Sequence, residues 1–165
     1  MEFNIRVNHT SEDYYNNGLS FMRAAWRCYG KEINGQYKVI DEGKICQLSA
    51  PAVVNAAFAC EMFLKSLLVY YEIPYRKEHN LIKLYDMLPE ASKNKISMFC
   101  GDERGVTVFR NTLSKHADDF VDIRYFVEAE GWMGMDPTYM ITLAYNLSEI
   151  TRYLLHNQES QLNII

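Results

Sequence analysis

Between Pro51 and Tyr71 the chain carries apolar side chains at almost every position, interrupted by Asn55, Glu61, Lys65 and Ser66. At about 100° per residue these side chains cover nearly the whole circumference of a helix, so a helix over 50–72 has no face to give to water. Other helices must surround it. Pro51 fits the first turn, where its missing N–H costs nothing, and Pro74 ends the segment. The stretch is long enough to span a bilayer, but its longest unbroken apolar run is five residues, which favours the central helix of a bundle over a membrane span. The 165 residues are enough for one domain with a core that needs no disulfide or metal staple. Eight Gly and four Pro supply too few turns for a many-stranded sandwich or barrel.

The other elements follow from caps and periodicity. Thr10 with Asp13 three residues on resembles a capping box, and Leu19, Met22, Trp26 and Tyr29 then recur at helical spacing. Gly30 is the stop. Residues 31–49 have no helical period and are expected to form a surface arm, with a short hairpin around Asn34-Gly35. A short side helix is predicted over His79–Leu88, with His79 as its cap, and about two turns over Ala91–Phe99. Phe109, Leu113, His116, Phe120, Ile123 and Val127 lie within roughly 40° of one line on a long fourth helix, closed by Gly131 and Gly134. Asp136-Pro137 starts the last helix, on which Met140, Leu143, Leu147, Ile150 and Leu154 form the stripe. The tail at 158–165 is expected to fray. The expectation is an all-α, antiparallel helical bundle of four main helices plus a short side helix, in one domain.

With 17 Lys+Arg against 21 Asp+Glu, the chain carries a formal charge of −4, which argues against coating nucleic acid through bulk charge and leaves room for a local basic patch. Cys28, Cys46, Cys60 and Cys100 show no C-x-x-C pair and no zinc-finger spacing, and read as reduced thiols of a cytoplasmic protein. The start of the sequence, Met1 to Arg6, lacks the pattern of a signal peptide. No Gly-rich phosphate loop, G-x-S-x-G elbow or H-E-x-x-H occurs. His116, Asp118, Asp119 and Asp122 are read as a solvated acidic face rather than metal ligands, so no metal or cofactor is expected.

Two sets of polar residues need explaining. Glu61 and Lys65 stand at i and i+4 on the most buried helix, either as a local ion pair or with Glu61 also accepting from an Arg or His of a neighbouring helix. His116 interrupts an otherwise apolar stripe, with Arg110, Arg124 and Glu128 on one flank of the same helix. Arg110 and His116 would be about 9 Å apart along the axis. A guanidinium that neutralises a phosphate beside an imidazole that moves a proton suits phosphodiester chemistry. By spacing alone the pair could equally be a core histidine and a solvated arginine.

The segments Ala56–Leu68, His79–Tyr85 and His116–Glu128 together resemble the HEPN family of helical domains. The shared features are an E-x3-K helix (Glu61, Lys65) followed by an H-x-L-x2-L turn (His79, Leu81, Leu84). The resemblance implies an all-α bundle, commonly dimeric. In many members an R-x4-6-H motif with a polar residue after the Arg forms a metal-independent ribonuclease site across the dimer interface. Arg110, Asn111 and His116 satisfy that motif; other branches are binding or partner modules.

Three readings follow. The favoured one is an interaction module of a prokaryotic defence or toxin–antitoxin-type system, a homodimer with a protein partner such as an antitoxin, in which Glu61, Lys65, His79, Arg124 and Glu128 form a polar network. The second is a metal-independent endoribonuclease in which Arg110 holds phosphate charge, His116 is the general acid/base and Asn111 orients one of them. The third is a nucleotide or small-molecule pocket between helices, with tyrosines such as Tyr70, Tyr71 and Tyr125 stacking a base, so that RNA is the partner in the second reading and a nucleotide or other small molecule in the third.

Overall fold

The computed structural model describes residues 9–30, 40–41, 44–45, 49–101, 106–117 and 136–157. Among these the fold is all-helical apart from one minimal β ladder. The helices are α1 (Ser11–Tyr29), α2 (Ser49–Tyr70), α3 (Leu81–Asp86), α4 (Glu90–Cys100), α5 (Val106–Lys115) and α6 (Pro137–Asn157). The ladder joins β1 (Ile40–Asp41) to β2 (Lys44–Ile45), with Ile40 opposite Ile45 and Asp41 opposite Lys44. Pairing therefore occurs within the expected arm, but beyond the Asn34-Gly35 turn, which lies outside the described residues.

The caps set the helix ends. The Thr10 hydroxyl accepts from the Asp13 N–H at 3.2 Å, and the Asp13 carboxylate accepts from the Thr10 N–H at 2.8 Å. This reciprocal capping box holds the Asp13 carboxyl below its ordinary pKa. Gly30 ends α1 at φ 70°, a left-handed conformation a side chain would resist. Asp136 caps α6 by accepting from the Tyr139 N–H. Asn80, not His79, caps α3, through the Lys83 N–H. An amide oxygen reaches that N–H, and the His79 ring is directed to α2 instead.

Helix α2 is the centre of the core. From Ala59 to Leu68 every residue is buried, Glu61 and Lys65 included. By length and hydropathy α2 could cross a membrane, and most of that stretch is buried inside the fold. The Ser66 hydroxyl donates to the Ser11 carbonyl, which places the end of α2 at the start of α1. The Tyr29 and Thr138 hydroxyls are 3.0 Å apart, which places the end of α1 at the start of α6. Thus α1 runs antiparallel to both α2 and α6.

The face of α1 that enters the core is Tyr15, Gly18, Met22 and Ala25, whereas Leu19, Trp26 and Tyr29 flank it half-buried. Size alone suggested the larger residues. Close approach selects the small ones: a Cβ on Gly18 would stand 2.6 Å from Phe63 Cε1 of α2.

The helix expected to pass through His116 is shorter in its described part. Helix α5 ends at Lys115, and His116 and Ala117 form a turn in which the His116 N–H donates to the Leu113 carbonyl at 3.1 Å. The Ala117 carbonyl accepts from the Leu81 N–H, tying this turn to the start of α3. Residues 118–135, with the expected Phe120, Ile123 and Val127, lie outside the described residues, as does 158–165. Six helices therefore stand among the described residues where four and a side helix were expected, with α4 forming where about two turns over Ala91–Phe99 were predicted.

Burial pushes the Cys100 thiol up to about 12. At pH 8 only about one thiol in 10⁴ would be thiolate. Alkylation at that pH should give the same native thiol count for the wild type and Cys100→Ser, and one fewer for the variant after unfolding in guanidinium. A native count that falls in Cys100→Ser contradicts this.

Candidate functional site

Two turns of α2 and the segment after it build one polar cluster. Glu61 Oε1 accepts from Lys65 Nζ at 2.7 Å, the i, i+4 order that suits a helix. The same oxygen faces His79 Nδ1 at 3.1 Å. A carboxylate ionised against an ammonium can only accept, so Nδ1 is the nitrogen that carries hydrogen. Glu61 is 1% exposed, while the His79 ring reaches solvent. Glu61 Oε2 is buried and has no hydrogen-bond partner among the described residues.

Tyr75, one residue past Pro74, closes the cluster from the other side, with Lys65 Nζ 5.3 Å from its ring centroid. The Tyr14 ring of α1 meets Tyr75 edge-on at 6.3 Å, and His9 meets Tyr14 at 5.9 Å. Burial, the hydrogen bond with Tyr14 and the Glu61 charge all raise the Tyr75 hydroxyl above its ordinary pKa, in that order of size. The connection between α2 and α3 is thereby fastened at two points to one buried ion pair.

Of the five residues expected to share a polar network, Glu61, Lys65 and His79 meet; Arg124 and Glu128 lie outside the described residues. The three residues of the R-x5-H motif do not converge in this way. Arg110 makes a two-point bond to Asp86 at the end of α3, Nε to Oδ1 at 3.1 Å and Nη2 to Oδ2 at 2.6 Å. The His116 ring stacks on Tyr139 of α6, centroids 4.5 Å apart and planes 29° from parallel. Asn111 is exposed on α5. The reason is angular. Six residues turn an ideal helix by about 600°, which leaves positions 110 and 116 about 120° apart. Helix α5 also ends before His116.

The tyrosines of the pocket reading also have structural tasks. The Tyr70 and Tyr71 rings meet edge-on at 5.1 Å, and the Tyr71 hydroxyl accepts from the Ser92 hydroxyl. Tyr125 lies outside the described residues. Among the described residues no three His, Cys, Asp or Glu side chains gather as metal ligands.

Sequence reasoning missed Asp86, Tyr75 and Tyr139, whose partners stand far away in sequence and carry no spacing signal. It also missed a groove of about 590 Å³ between α4 and the C-terminal half of α6, lined by Phe99, Ile150, Arg152, Tyr153 and His156 among others. The exposed aromatic and basic positions of α6, among them Arg152, Tyr153 and His156, were the signal that could have found it. Comparison of the chain with family models, curated proteins and solved structures gives no match.

Proposed function

We propose that this chain is a HEPN-like helical interaction module, a homodimer with a protein partner such as an antitoxin, working in the cytoplasm as part of a prokaryotic defence or toxin–antitoxin-type system. The observation that carries the non-catalytic side of this reading is the two-point Arg110–Asp86 bond. A guanidinium that is to neutralise a phosphate must be directed at it, and this one faces the carboxylate of α3. Two further features agree with it. His116 lies against Tyr139 rather than beside Arg110. The Glu61, Lys65 and His79 residues of the resemblance meet inside the fold, where they fasten a connection.

The test is incubation of the purified chain with structured and unstructured RNA in EDTA, beside His116→Ala. Neither protein should shorten the RNA beyond a buffer control. Cutting by the wild type that disappears in a folded His116→Ala variant would establish the ribonuclease reading instead.

A further inference from the structure

We infer that the groove between α4 and α6 is the docking surface of the interaction module proposed above, an assignment that rests on that reading. Its occupant is an acidic amphipathic helix of a partner protein. The groove shares no residue with the Arg110 motif or the Glu61 cluster. Its floor is apolar: Ile150 is buried, and Phe99 and Tyr153 are each 50% exposed at its walls. Met98 beside Phe99 is 79% exposed. Large apolar side chains held in water at one place mark an interaction surface, whereas single ones do not. The wall that α6 presents, from Glu149 to Asn157, is about 12 Å long, a little more than two helical turns. A helix of that length sets apolar anchors at i, i+3 or i+4 and i+7 between Phe99 and Tyr153.

Backbone chemistry chooses a helix. Neither wall offers a sheet edge, because up to the last turn the N–H and C=O groups of α4 and α6 are used within their own helices. An extended peptide pressed on this apolar floor would leave its own N–H groups without partners, whereas a helix arrives with them satisfied. Charge chooses the sign. The whole chain carries −4, yet the aromatic walls are flanked by Lys95 and Arg152 against one carboxylate, Glu149. Lys95 Nζ stands 5.8 Å from the Tyr153 ring centroid, at the outer edge of a cation–π contact. Glu149 holds Arg152 through Nη2 at 2.6 Å, which leaves Nε and Nη1 of the guanidinium unbonded among the described residues. Carboxylates on the partner's polar face meet these two cations at the rim while its apolar face meets the rings. A flat bilayer would touch the rims and leave the floor at Ile150 empty.

The experiment uses the full chain and three fluorescein-labelled peptides of about 14 residues, long enough to form a helix on binding, read by anisotropy. The first carries Leu at i, i+3, i+4 and i+7 spacing with Glu and Gln elsewhere, the second replaces each Glu by Lys, and the third scrambles the first. The acidic amphipathic peptide should bind saturably with a Kd of about 10–100 μM, and the other two about 10-fold more weakly or worse. Tyr153→Ala and Phe99→Ala should each weaken binding about 10-fold or more. Tyr145→Ala, which removes an exposed ring of α6 outside the groove, should leave it unchanged. Lys95→Glu with Arg152→Glu should reverse the preference, so that the lysine peptide binds better than the glutamate one, with circular dichroism unchanged at these exposed positions. Absence of saturable binding up to about 1 mM, equal binding of all three peptides, or binding that Tyr153→Ala and Phe99→Ala leave intact overturns the proposal. Phosphatidylserine vesicles that bind the wild type but not the charge-reversed variant assign a lipid surface, and a dimer that Tyr153→Ala dissociates in sedimentation assigns a second copy; either overturns it too. Cutting of RNA in the incubation above strikes at the module reading, whereas intact RNA without peptide binding removes the groove alone.

Discussion

Lys65→Met should destabilise the protein by about 3–5 kcal/mol, the largest loss expected from a single exchange of charge for hydrocarbon among the described residues. Methionine fills nearly the same space as the lysine stem, so packing is conserved and the effect is electrostatic. The Glu61 carboxylate, 1% exposed, would retain His79 as its one described donor and lose the ammonium beside it. Removing one partner of a buried pair leaves the other unsolvated, whereas removing both does not. The double variant Glu61→Leu, Lys65→Met should therefore recover most of the loss. Urea unfolding monitored by circular dichroism measures both. A Lys65→Met variant within about 0.5 kcal/mol of wild type would mean the pair contributes little to holding the fold.

The second large effect is at the α1–α2 contact. Phe63 is fully buried, with the Tyr15 ring at 5.6 Å and Gly18 against its edge. Phe63→Ala should cost about 3–5 kcal/mol, the transfer of the ring plus the cavity it leaves. Gly18→Ala tests the same contact from the other helix. In the middle of a helix this exchange ordinarily stabilises by up to about 1 kcal/mol. Here the new methyl would meet the ring, so a loss of about 1–3 kcal/mol is expected. In the double variant the methyl enters space the ring has vacated, and the two losses should sum to less than their separate values. Strict additivity would show that the close approach of Gly18 to Phe63 carries no energy.

These two sites also mark how far the sequence could be read. The burial of α2 was legible because a helix apolar on all sides has one solution, and the caps at Thr10, Gly30 and Asp136 were legible because they are local chemistry. The buried face of α1 was shifted because apolar size was used as the guide, and Gly18 has no size at all. The small residues matter only once the opposing Phe63 is known. The surroundings of His116 were hidden for a different reason. A helical wheel assumes that the helix continues, whereas α5 ends at Lys115 and His116 stands in a turn, its N–H donating to the Leu113 carbonyl. Glu61 with Lys65 was visible as an i, i+4 pair, whereas the arrival of His79 and Tyr75 depends on how the chain turns after Pro74. Asp86 pairs with Arg110 across 24 residues, and no spacing rule anticipates it.

Arg110, on this reading, serves charge balance at the α3–α5 contact and takes no part in cutting RNA. One variant, Arg110→Ala, tests that role through two readouts on the same preparation. The urea midpoint should move little, because an ion pair this open to solvent is screened and contributes little to stability. RNA incubated without metal should remain as intact as with wild type. Wild-type cutting of RNA that Arg110→Ala abolishes at unchanged stability would contradict it.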